Sequence, residues 1–305
     1  MPRYLRYDEF GGPEVLDLVE VDKPTAGPGE IVVRVLVAGL NPVDYKIFRG
    51  YVAEVFGATL PSGVGNDLAG VVESVGAGVT GFEVGQRVLG GVRNEAVADF
   101  VVATPDQLLP TPEGLSDEVA GSLWVAGRTA KATVDLFGLT DRDTVLVSAA
   151  AGGVGILAAQ LAVRTGATVL GTASPRNHEL LRSLGVVPVD YAGDLVANIR
   201  AAAPSGITAA LDNNGRATID AALALRLPAD RINTVADHGA IAELGIHGVG
   251  GAEATPADLA VVASLLAAGD LILPVDEVFP IERSADAYRA LEGGHVRGKI
   301  VIVTE

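Results

Sequence analysis

The stretch of this chain best suited to chemistry is Ser148-Ala149-Ala150-Ala151-Gly152-Gly153-Val154-Gly155. Small side chains let a backbone turn sharply. Gly152 and Gly153 carry no Cβ to keep the main chain away from a pyrophosphate. Ala151 and Val154 complete the turn. Gly155 is expected to let the following helix pack close against the preceding strand. The unpaired amides of that helix's first turn then face an anion. In a G-x-G-x-x-G frame the first glycine is replaced by Ala150. A small-residue turn is also simple chain reversal, so its flanks decide. Thr144-Val145-Leu146-Val147 before it reads as a buried strand, and Ile156 to Arg164 after it as an Ala/Leu-rich helix ending at Gly166. With Ala167-Thr168-Val169-Leu170-Gly171 next, the unit has about the ~30 residues of a dinucleotide-binding strand–helix–strand motif.

The next chemistry lies at the end of that second strand. A site for NAD places Asp or Glu there, about ~20 residues past the glycines, to hold a ribose diol. Here the run is Gly171-Thr172-Ala173-Ser174-Pro175-Arg176-Asn177-His178, and no acid precedes Glu179. A carboxylate would repel a 2′-phosphate, whereas a hydroxyl and a guanidinium bind one. The pattern therefore favours NADP(H), with Ser174 and Arg176 as its ligands. Ser174-Pro175 also reads as a helix N-cap followed by Pro at the first position. Arg176 has a second reading as a solvated helix start.

Other chemistries are poorly supplied. There is no cysteine, which removes disulfides, a thiolate nucleophile and a thiolate-held zinc. The four histidines, His178, His238, His247 and His295, do not cluster, so no metal site is expected. Acidic residues outnumber basic ones by 38 to 22, a net charge of −16, which lacks the footprint of a nucleic-acid binder. An anionic ligand must then be held by local donors against a repulsive overall field. No apolar run approaches the ~18 residues of a membrane span, and the first residues lack a secretory pattern. A cytoplasmic protein is expected.

The elements that must position these residues divide in two. The length of 305 residues suggests two domains. Up to about residue 120 the chain reads as short β-branched strands: 4–7, 15–21, 31–40, 68–75, 87–89 and 96–102, separated by Gly/Pro turns. Asn41 precedes Pro42 and reads as a turn residue. From Thr144 strands and helices alternate, which implies a doubly wound parallel sheet. A helix, two strands and a short helix follow after residue 255. Trp124 reads as core.

The order of these parts resembles the medium-chain dehydrogenase/reductase superfamily, and within it the zinc-independent quinone oxidoreductases. The matching runs are Ala38-Gly39-Leu40-Asn41-Pro42-Val43-Asp44, Arg49-Gly50, Pro61 to Val72, Val75 to Val79, Phe82 to Val88, the Ala/Gly turn, and Arg297-Gly298-Lys299-Ile300-Val301. They span essentially the whole chain. The resemblance implies an α/β fold: a Rossmann doubly wound parallel sheet at 123–250, plus a discontinuous GroES-like β-rich domain of residues 1–122 and 251–305. It implies that Asn41 and Thr129 line a nicotinamide ring and that Tyr191 sits beside the 2′-phosphate. It also implies that Asn213 nears the adenine ribose and that Arg297 approaches the cofactor. Where zinc-dependent relatives carry Cys and Gly-His-Glu, this chain has Gly39 and Gly65-Asn66-Asp67. The implied activity is hydride transfer from NADPH to a quinone or other α,β-unsaturated carbonyl. Tyr51 has two readings, a donor to a substrate oxygen or packing in an irregular loop. Because no catalytic acid is evident, an NADPH-binding redox sensor or scaffold without turnover is the competing reading. A homodimer, paired through the edge near Ile246 to Val249, is the oligomer the resemblance implies.

Overall fold

The computed structural model describes every residue from Met1 to Glu305. Its elements run β1 (Arg3–Tyr7), β2 (Asp17–Glu20), β3 (Ile31–Gly39), α1 (Pro42–Phe48), β4 (Ser62–Gly63), β5 (Asp67–Val75), β6 (Arg87–Gly91), β7 (Phe100–Ala103) and β8 (Leu108–Pro110). There follow α2 (Asp117–Ala120), α3 (Trp124–Asp135), β9 (Thr144–Val147), α4 (Gly153–Arg164), β10 (Thr168–Thr172), α5 (His178–Ser183), β11 (Val187–Val189) and α6 (Leu195–Ala202). The rest are β12 (Ala209–Asp212), α7 (Arg216–Ala224), β13 (Ile232–Thr234), α8 (His238–Leu244), α9 (Pro256–Ala267), β14 (Val275–Pro280), α10 (Ser284–Glu292) and β15 (Lys299–Val303). No helix is long and apolar enough to cross a membrane.

Two compact units result. The first holds Met1–Val125, Leu259–Asp270 and Pro274–Glu305; the second holds Ala126–Asp258 and Leu271–Leu273. In the first, β14-β15-β3-β5-β6-β8 form one sheet, with β7 also paired to β3. The β-branched run Ile31, Val32, Val33, Val35 and Val37 makes β3 its centre, buried on both faces. The C-terminal strand β15 fits between β14, to which it is parallel, and β3, to which it is antiparallel. Tyr7, Phe48 and Tyr288 anchor the core here, with Phe48 edge-on to Tyr288 at 5.2 Å between centroids.

In the second unit the strand order is β11-β10-β9-β12-β13, all parallel. Consecutive strands step outward to one side of β9, then to the other. The carboxyl end of β9 is therefore the switch point at which such sheets hold ligands. Val145, Leu146 and Val147 are wholly buried there, so the strand leads straight from the core into the glycine turn.

Three local readings of the sequence needed revision. The strand expected at 15–21 is shortened, because Pro13 opens a single 3-10 turn at Pro13–Val15. The strand expected at 96–102 pairs with β3 only from Phe100, and Ala98 makes an isolated bridge to Tyr4. Trp124 is half-buried rather than core. Helices α1 and α8, of 7 residues each, escaped notice because two turns give too little periodicity to recognise. Asp237 caps α8 by accepting from the Ala240 amide.

Candidate functional site

The turn after β9 owes its shape to its own backbone. Ala149 adopts a left-handed conformation, φ 47°. It is held by its N–H donating to Thr172 Oγ1 (3.1 Å) and by the Ala150 N–H donating to the Thr172 carbonyl (2.9 Å). The Gly152 N–H then donates to the Ala149 carbonyl (2.8 Å), and Gly152 is the N-cap of α4. A Cβ at Gly155 would stand 2.2 Å from the Ala149 oxygen. The glycine at 155 is thus demanded by the turn folding back on itself, a sharper reason than helix–strand packing. Intrahelical bonding starts with Ile156 N–H to the Gly152 carbonyl. The amides of Gly153, Val154 and Gly155 therefore have no acceptor within the helix and lie at its positive end. Ala151 is buried beneath the turn, while Gly152, Gly153 and Val154 are partly open.

Beside this cradle the strand ends are tied together by a residue sequence reading did not single out. The buried Asp212 carboxylate accepts from Ser148 Oγ (2.9 Å), the Asn214 and Gly215 amides (3.0 and 2.9 Å) and Thr234 Oγ1 (2.7 Å). It joins the carboxyl ends of β9, β12 and β13, and a strand-end Asp in Leu211-Asp212-Asn213-Asn214-Gly215 was the available signal. Asn213 donates through its backbone to Ser148 Oγ (2.7 Å) and through Nδ2 to the Ser148 carbonyl (3.0 Å). Its Oδ1 is buried with no partner. An unmet acceptor of this kind costs about 1–3 kcal/mol unless a donor from outside the chain reaches it.

At the other side of the switch point, Thr172 pairs with Val189 and the Ala173 N–H donates to the Val189 carbonyl (3.0 Å). This register puts Ser174 and Tyr191, each two residues further on, at the ends of adjacent strands. Ser174 is the N-cap of a 3-10 turn at Pro175–Asn177, and Arg176 lies exposed within it. Tyr191 is half-exposed. Thr129 is buried on α3, and a Cβ on Gly251 would meet its Oγ1 at 3.0 Å.

Within the first unit the matching runs converge on a buried polar cluster. Asn41 is the N-cap of α1, and its N–H donates to Asp44 Oδ2 (2.8 Å). Its side chain serves another partner: Lys299 Nζ donates to Asn41 Oδ1 (2.6 Å) and pairs with Asp67 Oδ2 (3.2 Å). Asp67 Oδ1 accepts the Val125 amide (2.9 Å). Asp44 accepts from Asn66 Nδ2 (2.6 Å) and Tyr288 Oη (3.3 Å). Lys299 is only 4% exposed and Asp67 not at all. Tyr51, by contrast, is 71% exposed in the loop after α1. Arg297 belongs to this first unit, and its N–H donates to Asp276 Oδ2 (2.9 Å).

Burial, opposed by the bonds from Asn41 and Asn66, lifts the Asp44 carboxyl from 3.8 to about 7, and burial likewise raises Asp67. The folded chain therefore keeps a proton on Asp44 that the unfolded chain releases. This contribution to stability is full below pH 4 and is lost as pH rises toward 7. Asp44→Asn, which mimics the protonated form, should remove that slope. Melting temperatures of both proteins from pH 4.5 to 8 check this, and parallel curves would refute it.

Against known proteins, the alcohol dehydrogenase GroES-like domain matches residues 27–113 and the zinc-binding dehydrogenase family matches residues 182–302. The chain is 36% identical over 198 residues to the chloroplast envelope quinone oxidoreductase homolog of Arabidopsis thaliana. That match covers 61% of this chain and 60% of the relative's length. The solved quinone oxidoreductase from Coxiella burnetii is 30% identical with a TM-score of 0.90, over 100% of this chain and 99% of that one. A mycobacterial protein solved with NADPH is 26% identical, TM-score 0.86, covering 99% of each chain.

The zinc of the second family's description does not suit the residues here. A side chain at Gly39 would place its Cβ 2.3 Å from the Gly121 carbonyl oxygen. Asn66 is spent on Asp44, and the Asp67 carboxylate already holds an ammonium. No group of three or more His, Cys, Asp or Glu side chains comes together. The fold, the glycine turn at the switch point and full-length likeness to a solved relative agree: this chain belongs to the quinone oxidoreductase family of the medium-chain dehydrogenase/reductase superfamily.

Proposed function

We propose that this protein is a zinc-independent, NADPH-dependent reductase of quinones or other α,β-unsaturated carbonyls. The observation that carries the reading is the cradle at the carboxyl end of β9. There three α4 amides without helical acceptors stand beside an acid-free β10 end. The Gly153, Val154 and Gly155 amides would hold the pyrophosphate. Ser174, Arg176 and Tyr191 would take the 2′-phosphate, and Asn213 Oδ1 would accept from a ribose hydroxyl. Asn41 and Thr129 would border the nicotinamide, and Arg297 would contact the cofactor. A reduced nicotinamide supplies a hydride to an electron-poor carbon of the acceptor. The matching proton comes from solvent or from Tyr51, whose exposed phenol is free to meet a substrate oxygen. Gly39, Asn66 and Asp67, at the positions where zinc-dependent relatives carry Cys, His and Glu, support a reaction that does without a Lewis acid, which favours reduction of activated double bonds over alcohol oxidation.

Stopped-flow absorbance at the NADPH band, against panels of quinones and of enones, tests the reading. No oxidation with either panel would refute the activity, and tight binding without turnover would make the protein a nucleotide-binding module instead. Arg176→Ala should weaken NADPH by at least about tenfold, the equivalent of ~1.4 kcal/mol, and NADH hardly at all. Equal losses for the two nucleotides, measured by calorimetry, would remove Arg176 from the 2′-phosphate site.

A further inference from the structure

Beyond β13 the parallel sheet ends in a rudimentary sixth strand. His247 bridges Asn233 in parallel, its N–H donating to the Ile232 carbonyl (2.9 Å) and its carbonyl accepting from Thr234 (3.0 Å). The backbone ladder stops there, but the pairing does not. The wholly buried Asn233 side chain continues it, accepting from the Val249 N–H at Oδ1 (2.8 Å) and donating through Nδ2 to the Val249 carbonyl (3.0 Å). One amide thus satisfies both main-chain groups of a loop residue, as a neighbouring strand would. The loop it grips reads Gly248-Val249-Gly250-Gly251. Its far end is fixed to α3 by Arg128 Nη2 donating to the Ala254 carbonyl (3.0 Å), and Gly251 lies against Thr129.

This loop leaves the sheet at its carboxyl end, on the β12–β13 side. The 2′-phosphate candidates Ser174, Arg176 and Tyr191 are on the β10–β11 side. A dinucleotide bound at a switch point lies across it, one mononucleotide half on each side. Resting on the cofactor reading above, we propose that Asn233 is a positioning residue for the nicotinamide half: it sets the Gly248–Gly251 backbone as the wall against which that half lies.

Titration calorimetry with NADPH and with adenosine 2′,5′-bisphosphate, which carries only the adenosine half, separates the possibilities. Asn233→Leu should weaken NADPH by about tenfold or more and leave the bisphosphate unchanged. Asn233→Asp, which keeps the acceptor for Val249 N–H but loses the donor, should fall between. Equal loss of both ligands, or loss of neither, would overturn the positioning role. Wild-type protein that binds neither ligand would instead overturn the cofactor reading, and this inference with it. Should the leucine variant fail to fold, hydrogen exchange on the wild type decides. NADPH, and not the bisphosphate, should increase protection of the amides of residues 248–251; equal protection by both would overturn the proposal.

Discussion

Lys299→Met should lower the stability of this protein by about 3–5 kcal/mol, the range for removing one partner of a buried ion pair. Methionine nearly matches the length of the lysine stem, so packing changes little. What disappears is the only cation among the contacts of Asp67, a fully buried carboxylate left with the Val125 amide and the Asn41 side chain. Asn41 Oδ1 loses its 2.6 Å donor at the same time. Asp67→Asn in the Lys299→Met background should recover much of the loss. It removes the stranded charge and keeps an acceptor for Val125. Urea denaturation of the two variants decides the matter. A Lys299→Met effect within about 1 kcal/mol of zero, or a double variant no better than the single, would show that the pair is not what holds this cluster.

The second large effect separates two glycines that a motif treats alike. Gly155→Ala forces a Cβ to within 2.2 Å of the Ala149 carbonyl oxygen, a backbone atom that cannot swing aside. The turn must open, at a cost of about 1–3 kcal/mol in stability, and the cradle opens with it. Gly152→Ala meets the same oxygen at 3.3 Å, a contact relieved by a few tenths of an ångström. Its φ of −85° suits alanine. That variant should keep nearly normal stability and still lose at least about tenfold in NADPH affinity, because the methyl enters the space kept for the pyrophosphate. Thermal melting alongside calorimetry reads both axes. A Gly152→Ala protein that binds NADPH normally would mean that the ligand does not approach the backbone there.

Much of the architecture was readable because it rests on local signals. The alternation from Thr144 onward and the glycine turn between apolar runs are repeated patterns of adequate length. The observed β9 (Thr144–Val147) and β10 (Thr168–Thr172) fall on the two apolar runs that flank the turn. The buried cluster of the first unit was not readable in the same way. Asn41, Asp44, Asn66, Asp67, Tyr288 and Lys299 lie on or directly beside four separate elements, α1, β5, α10 and β15, and approach only through tertiary pairing, above all β15 against β3. Each alone reads as a turn residue, a cap or an exposed charge. Asn41 illustrates the point: an Asn before Pro at a helix start ought to cap with its side chain, but Lys299 claims that oxygen. Asn233 escaped for the same reason, since its partner Val249 lies beyond an intervening helix.

The seat of β15 between β14 and β3 has a consequence for how the chain is made. Domains emerging during synthesis usually fold in order, the N-terminal one first. Here that order cannot hold. The first unit begins at Met1, but its sheet lacks an interior strand until residues 299–303 appear. Meanwhile almost all of the second unit, Ala126–Asp258, has left as one uninterrupted piece. Until residues 299–303 are made, the growing chain must therefore carry an open β3 edge at Val37–Gly39 and an Asp67 still waiting for its lysine. An exposed edge of this kind invites pairing with the wrong strand. Until the last strand arrives, Val37–Gly39 is the place where such mispairing starts.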